Sequence, residues 1–163
     1  MDIDRVADRL AASFRTGESA EPVSLSLADG YRVQEALVAR LTETHGPVVG
    51  YKLGFTNRAV QREIGVDEPV YGRLLSETVG VERVQRAATV APRAEPEIVV
   101  RVGEPLPADA TRETVAERVA AVAPAVEIVD SRTAQWELAP GPAVADDALA
   151  ARLAVGPERP LDA

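Results

Sequence analysis

Three glutamates and one lysine carry the residue types and spacing that suit chemistry in this chain. In Pro92-Arg93-Ala94-Glu95-Pro96-Glu97-Ile98-Val99-Val100, the two glutamates stand two residues apart. An extended strand has a side-chain period of two, so both carboxylates project from one face, and Pro96 removes a backbone donor between them. Like charges aimed at one place repel unless one is protonated or a cation lies between them. A second apolar run, Ala121 to Val129, holds a single acidic residue, Glu127, at a position its neighbours predict to be buried. A buried carboxylate needs a partner. Three glutamates from two strands supply hard oxygen ligands for Mg²⁺ or Mn²⁺. The competing reading is an exposed acidic strand face, with Glu127 paired to an arginine such as Arg93 or Arg132.

Lys52 is the chain's one lysine against seventeen arginines, and it stands in Gly50-Tyr51-Lys52-Leu53-Gly54-Phe55-Thr56. An ammonium gives up its proton when desolvated or crowded by another charge, whereas guanidinium stays charged. Lys52 is therefore a candidate catalytic residue, with an ordinary surface lysine as the alternative.

The elements that must position these residues follow from periodicity and punctuation. Ile3, Val6, Ala7, Leu10, Ala11 and Phe14 recur at helical spacing, and Gly17 stops the run. Ser26, with Asp29 three residues on, caps a second helix containing Val33, Ala36, Leu37, Ala39 and Leu41. Gly46-Pro47 closes it. Val48 to Leu53 reads as a strand with Lys52 near its end, and Thr56 or Asn57 caps a short helix that Gly65 stops. A Glu68-Pro69 turn and a strand at Leu74-Leu75 follow. Helices and strands are mixed without the regular alternation of a doubly wound sheet.

Composition narrows the function classes. A chain of 163 residues suits one domain. Its formal net charge of -8 opposes binding to nucleic acid or to anionic lipid. The chain has no cysteine, which excludes disulfides and thiolate metal sites and fits a reducing, cytoplasmic setting. The acidic start Met1-Asp2-Ile3-Asp4-Arg5 is unlike a signal peptide, and no apolar stretch is long enough to span a membrane. The arginine-rich, acidic balance fits either a GC-rich genome or a salt-adapted host.

Taken in order, four segments resemble the 2-keto-4-pentenoate hydratases and the similar 4-oxalocrotonate decarboxylases of the fumarylacetoacetate hydrolase superfamily. The first is Gly50 to Thr56 with Ala59-Val60-Gln61 and Gly65-Val66-Asp67-Glu68-Pro69; the second is Pro92 to Ile98. The third is Pro124-Ala125-Val126-Glu127-Ile128-Val129-Asp130-Ser131-Arg132, followed by Trp136; the fourth is Val144-Ala145-Asp146-Asp147.

The resemblance implies an α+β fold in which N-terminal helices precede a mixed, rolled β-sheet of the fumarylacetoacetate hydrolase type, incomplete at the C-terminus. It implies one hydratase-like domain over 1–163, with 1–46 helical and 47–163 a partial β-roll carrying the metal site. It further implies Mg²⁺ or Mn²⁺ on Glu95, Glu97 and Glu127, with Lys52 moving a proton and Arg132, Asp146 and Tyr71 binding substrate. The implied substrate is a short 2-oxo or 2-hydroxydienoic acid from aromatic-compound degradation. Hydration of 2-hydroxypenta-2,4-dienoate to 4-hydroxy-2-oxopentanoate and decarboxylation of 4-oxalocrotonate share these motifs. The implied assembly is a homo-oligomer or a hetero-complex with a related decarboxylase or hydratase subunit.

Three departures accompany the resemblance. Val70 stands before Tyr71-Gly72 where the family commonly has an acidic residue, and Asp147-Ala148-Leu149 replaces an Asn, Ala and Ser continuation. The sequence also stops at Ala163 where family members continue. A non-catalytic or partner-dependent subunit is therefore the reading from another class, and a generic divalent-metal binder is a third.

The remaining conspicuous residues take structural readings. His45 at a helix end is expected to meet terminal carbonyls. Trp136 is expected to cover the core beside the Ser131-Arg132 turn, with a wall of the substrate pocket as the alternative. For Arg132, orienting Glu127 or meeting a substrate carboxylate are both open.

Overall fold

The computed structural model describes residues 1–136 and 139–161. Helix α1 (Ile3–Thr16) begins where the Asp2 side chain accepts from the Arg5 amide, and it ends at Gly17 with φ 71°. Helix α2 (Leu27–His45) starts on Ser26, whose hydroxyl accepts from the Asp29 amide and donates to the Asp29 carboxylate. These caps satisfy amides that have no partner inside the helix. The apolar stripes of the two helices meet: Val6, Ala7, Leu10 and Ala11 pack against Val33, Leu37, Val38 and Leu41, all buried.

Strand β1 (Val48–Gly54) leads through helix α3 (Arg58–Ile64) to strand β2 (Val70–Leu75). Asn57 caps α3 and Gly65, at φ 76°, ends it. The two strands form an antiparallel pair in which Lys52 stands opposite Gly72. A second sheet holds β3 (Pro92–Val102), β4 (Val119–Asp130) and β5 (Ala150–Val155) in that order, with α4 (Arg112–Glu117) between β3 and β4. The short β6 (Arg159–Pro160) also pairs with β4. Helix α5 (Pro140–Ala145) precedes β5.

The architecture is α+β, with helices first and antiparallel sheets after. Every pairing of named strands is antiparallel. Among the described residues, the parallel component expected of a mixed sheet is confined to the bridge between Val79 and Leu153.

Helix α5 lies against the start of α2 because neither surface carries bulk there. A Cβ on Gly30 would strike the carbonyl of Gly141, and one on Gly141 would strike the carbonyl of Leu25. Gln34, fully buried on α2, donates to the carbonyls of Tyr71 (2.8 Å) and Val144 (3.2 Å) and accepts from Arg73 Nη1 (2.7 Å). One amide thus ties α2 to β2 and α5, and its donors and its acceptor all have partners. Among the described residues, no helix is long and apolar enough to cross a membrane.

Candidate active site

Register explains how the three glutamates meet. Glu95 on β3 stands directly opposite Glu127 on β4, and Glu97 opposes Ala125, two positions along the same face. Each of the three offers a carboxylate oxygen, and these oxygens lie within 4.8 Å of one another. Glu97 is exposed and Glu127 is 2% exposed.

The other sheet supplies the cation. Lys52 Nζ lies 3.2 Å from Glu127 Oε2 and donates to the carbonyl of Ala148 at 3.0 Å. Burial raises the Glu127 pKa; the Lys52 charge pulls it down, and the Glu95 and Glu97 charges push it up again. The second oxygen, Glu127 Oε1, is buried without a hydrogen-bond partner. An orphaned buried carboxylate oxygen on a side chain grouped with two more carboxylates suits a hard divalent cation, so the donor set fits Mg²⁺ or Mn²⁺.

The arginines proposed as alternative partners of Glu127 are engaged elsewhere. The Arg93 guanidinium sits 3.9 Å over the Trp136 ring, which gives that tryptophan a cation–π role. Arg132, 1% exposed, donates from Nη1 to Asp146 Oδ1 and from its backbone amide to Asp146 Oδ2, both at 2.9 Å. Burial pushes Asp146 up to about 6 against the pull of Arg132. Arg132 and Asp146 therefore meet each other rather than Glu127. Tyr71 is placed apart as well: it pairs with Leu53, the neighbour of Lys52, so its side chain leaves β2 on the face opposite Lys52. There it packs against Tyr31, with ring centroids 4.9 Å apart.

The segment joining α5 to β5 completes the surroundings of Lys52. Asp147, Ala148 and Leu149 have φ values of 52°, 49° and 65°, three successive left-handed residues without a glycine. Asp147 Oδ1 accepts from the Arg73 amide at 2.9 Å, and burial pushes its carboxyl up to about 7. Gly72 admits this turn, because a Cβ there would collide with the Asp147 carbonyl. Val70, at the expected acidic position, is buried with Val144 and Ala148 in an apolar cluster. The Ala148 carbonyl was not legible as a site group, since a backbone acceptor leaves no mark in residue type. Gln34 had a weak signal: a polar residue on the apolar stripe of α2.

Curated relatives match nearly the whole chain. A 4-oxalocrotonate decarboxylase from Pseudomonas sp is 33% identical over 162 residues, covering 96% of this chain and 63% of that protein. A 2-keto-4-pentenoate hydratase from Paraburkholderia xenovorans is 31% identical over 153 residues, covering 89% and 57%. The chain is a relative of these hydratases and decarboxylases. This hydratase/decarboxylase relative spans about three fifths of the length of the curated proteins it matches. No protein-family model matches it. Its fold aligns with the 4-oxalocrotonate decarboxylase from Pseudomonas putida G7 complexed with magnesium and adipate, at a TM-score of 0.84 and 27% identity, covering 94% of this chain and 62% of that one. The same enzyme complexed with calcium and acetate aligns at a TM-score of 0.80.

Proposed function

We propose that this chain carries the site of a metal-dependent hydratase that converts 2-hydroxypenta-2,4-dienoate to 4-hydroxy-2-oxopentanoate. The observation that carries this reading is the contact of Lys52 with Glu127 at the edge of the three-glutamate cluster. On this reading the chain is one hydratase-like unit, and its sheets belong to a rolled β-sheet of the fumarylacetoacetate hydrolase type.

Glu95, Glu97 and Glu127 are the residues that would hold Mg²⁺ or Mn²⁺. When bound, the cation supplies Lewis-acid stabilisation to the oxygens of a 2-oxo acid. The protein's own contribution is proton management. Lys52, fixed between Glu127 and the Ala148 carbonyl, holds and moves the proton exchanged between the 2-hydroxyl group and the carbon chain. Its side chain is 10% exposed, which limits competition from bulk water. Arg132 and Asp146, paired in the interior, serve this scheme by anchoring the chain ahead of Asp147 and Ala148 rather than by touching substrate.

The test is the ultraviolet decay of 2-hydroxypenta-2,4-dienoate with the purified chain and Mg²⁺ or Mn²⁺, with a chelator control. Chelator-sensitive formation of 4-hydroxy-2-oxopentanoate is expected. Absence of product from a folded, metal-loaded chain overturns the reading. A second reading, 4-oxalocrotonate decarboxylase, is favoured by the alignment with the decarboxylase fold. It predicts carbon dioxide release from 4-oxalocrotonate under the same conditions, with the dienoate left unchanged.

A further inference from the structure

A cavity with a partly polar lining lies on the other face of the β3-β4-β5 sheet from the glutamate cluster. Arg152 on β5 pairs with Ile128, whereas Glu127 pairs with Leu153. Alternation along β4 then puts Asp130 on the face of Ile128 and Arg152, away from the glutamate cluster. Phe14 of α1, the segment around Arg83 and Thr89, and these residues line a partly open cavity of about 190 Å³, with Arg132 in its wall.

The cations of this cavity exceed what the protein neutralises. Arg132 is bound to Asp146, yet its Nε is buried and has no hydrogen-bond partner. Among the described residues, Arg152 has no carboxylate partner, and it donates from Nη1 to the Ala151 carbonyl at 2.8 Å. Asp130, the acidic group in the wall, accepts from the amides of Val90 (3.0 Å) and Ala91 (2.7 Å), and its charge acts on Arg152. Asp130 and Asp146 together still leave one of the guanidinium groups of Arg83, Arg132 and Arg152 without a carboxylate. Both guanidinium carbons lie over the Phe14 ring, at 4.6 Å for Arg132 and 4.9 Å for Arg152. Stacking occupies guanidinium faces and leaves their N–H edges for in-plane acceptors. The field of this pair reaches His45, whose imidazole is held below its usual range by burial and then by the Arg152 charge.

We propose that this cavity is a binding site for a small carboxylate anion, held by Arg152 and Arg83, with the buried charge of Arg132 behind its wall. The volume is below that of sites for drug-sized ligands and suits an acid of a few carbons. A planar carboxylate matches guanidinium edges better than a spherical ion does. This site is independent of the metal cluster and of the hydratase reading.

The experiment is calorimetric titration of the metal-free, chelator-treated chain with malonate at constant ionic strength, read alongside thermal unfolding. Saturable binding in the millimolar range is expected. Arg152→Gln is expected to weaken it about tenfold or more, the size of one charge-assisted hydrogen bond. Arg83→Gln, at an exposed position that leaves folding intact, should weaken it severalfold, while Glu97→Gln should leave it unchanged. Absence of saturable heat, or binding indifferent to both arginine substitutions, overturns the proposal. Loss of binding in Glu97→Gln overturns it too, by moving the ligand to the glutamate cluster. Inorganic phosphate binding in preference to malonate overturns the carboxylate assignment.

Discussion

Lys52 and Glu127 come from different sheets and meet at 3.2 Å, with side chains 10% and 3% exposed. An ion pair this dry gives each member a stake in the other. Removing Lys52 leaves a buried carboxylate among two like charges. Lys52→Met is therefore expected to lower stability at neutral pH by roughly 2–4 kcal/mol and to lower turnover by about 10²–10⁴-fold. Mn²⁺ affinity should be retained or improved, because a competing cation has left Glu127. Denaturant unfolding, single-turnover rates and Mn²⁺ titration check the three outcomes, and a variant with full turnover removes Lys52 from the chemistry.

Glu97 separates ligation from folding. It is exposed, so Glu97→Ala should change stability by no more than about 0.5 kcal/mol. Mn²⁺ affinity, followed by electron paramagnetic resonance of the free ion, should fall at least about tenfold. An unchanged affinity would remove Glu97 from the ligand set.

Asp147 sets a pH dependence of stability. Its folded pKa, about 7, lies above the ordinary carboxylate value of 3.8 because burial disfavours the charge. The folded state therefore holds this proton more tightly than the unfolded chain does. Its contribution is fully present below about pH 4 and is lost as pH rises through about 7. Asp147→Asn keeps an oxygen to accept from the Arg73 amide and removes the charge. The variant should be more stable at pH 8, by an amount on the order of 2 kcal/mol, and flatter between pH 4 and 8. Urea unfolding across that range is the measurement, and parallel curves for the two proteins would refute the assignment.

Arg132 and Asp146 form a buried pair of the kind that is costly to break from one side. Arg132→Met and Asp146→Ala should each destabilise by about 3–5 kcal/mol, and the double substitution by less than their sum. A fully additive cycle would show that the pair is not energetically coupled.

The boundaries of α1, α2, β1 and α3 were legible because local chemistry marks them, whereas α4, α5, β5 and β6 were not read from the sequence. Gly17, Gly46-Pro47, Asn57 and Gly65 end or begin helices where their backbone and side-chain preferences require. The shared face of Glu95 and Glu97 was legible for the same reason, since strand alternation is a local property. What escaped was set by register and by contacts between sheets. Nothing near Glu127 names Lys52, which lies in another sheet. Tyr71 sits one residue from Gly72, and only the pairing of β1 with β2 shows that this step carries its ring to the opposite face. The left-handed turn at Asp147 to Leu149 escaped because residues without glycine there favour other conformations; tertiary contacts overrule the local preference.

That turn has an evolutionary consequence. Three left-handed residues in succession hold free energy, on the order of 1 kcal/mol or more each. They persist because Gly72 makes room and because Arg73 and Lys52 donate to the segment. Selection for thermal robustness alone would favour glycine at Ala148, where relief of strain adds stability and slackens the carbonyl that fixes Lys52. Selection for turnover would keep the strained residues in place. On the proposed role of Lys52, heat tolerance and proton transfer are then opposed in this stretch of chain, and improving one draws on the other.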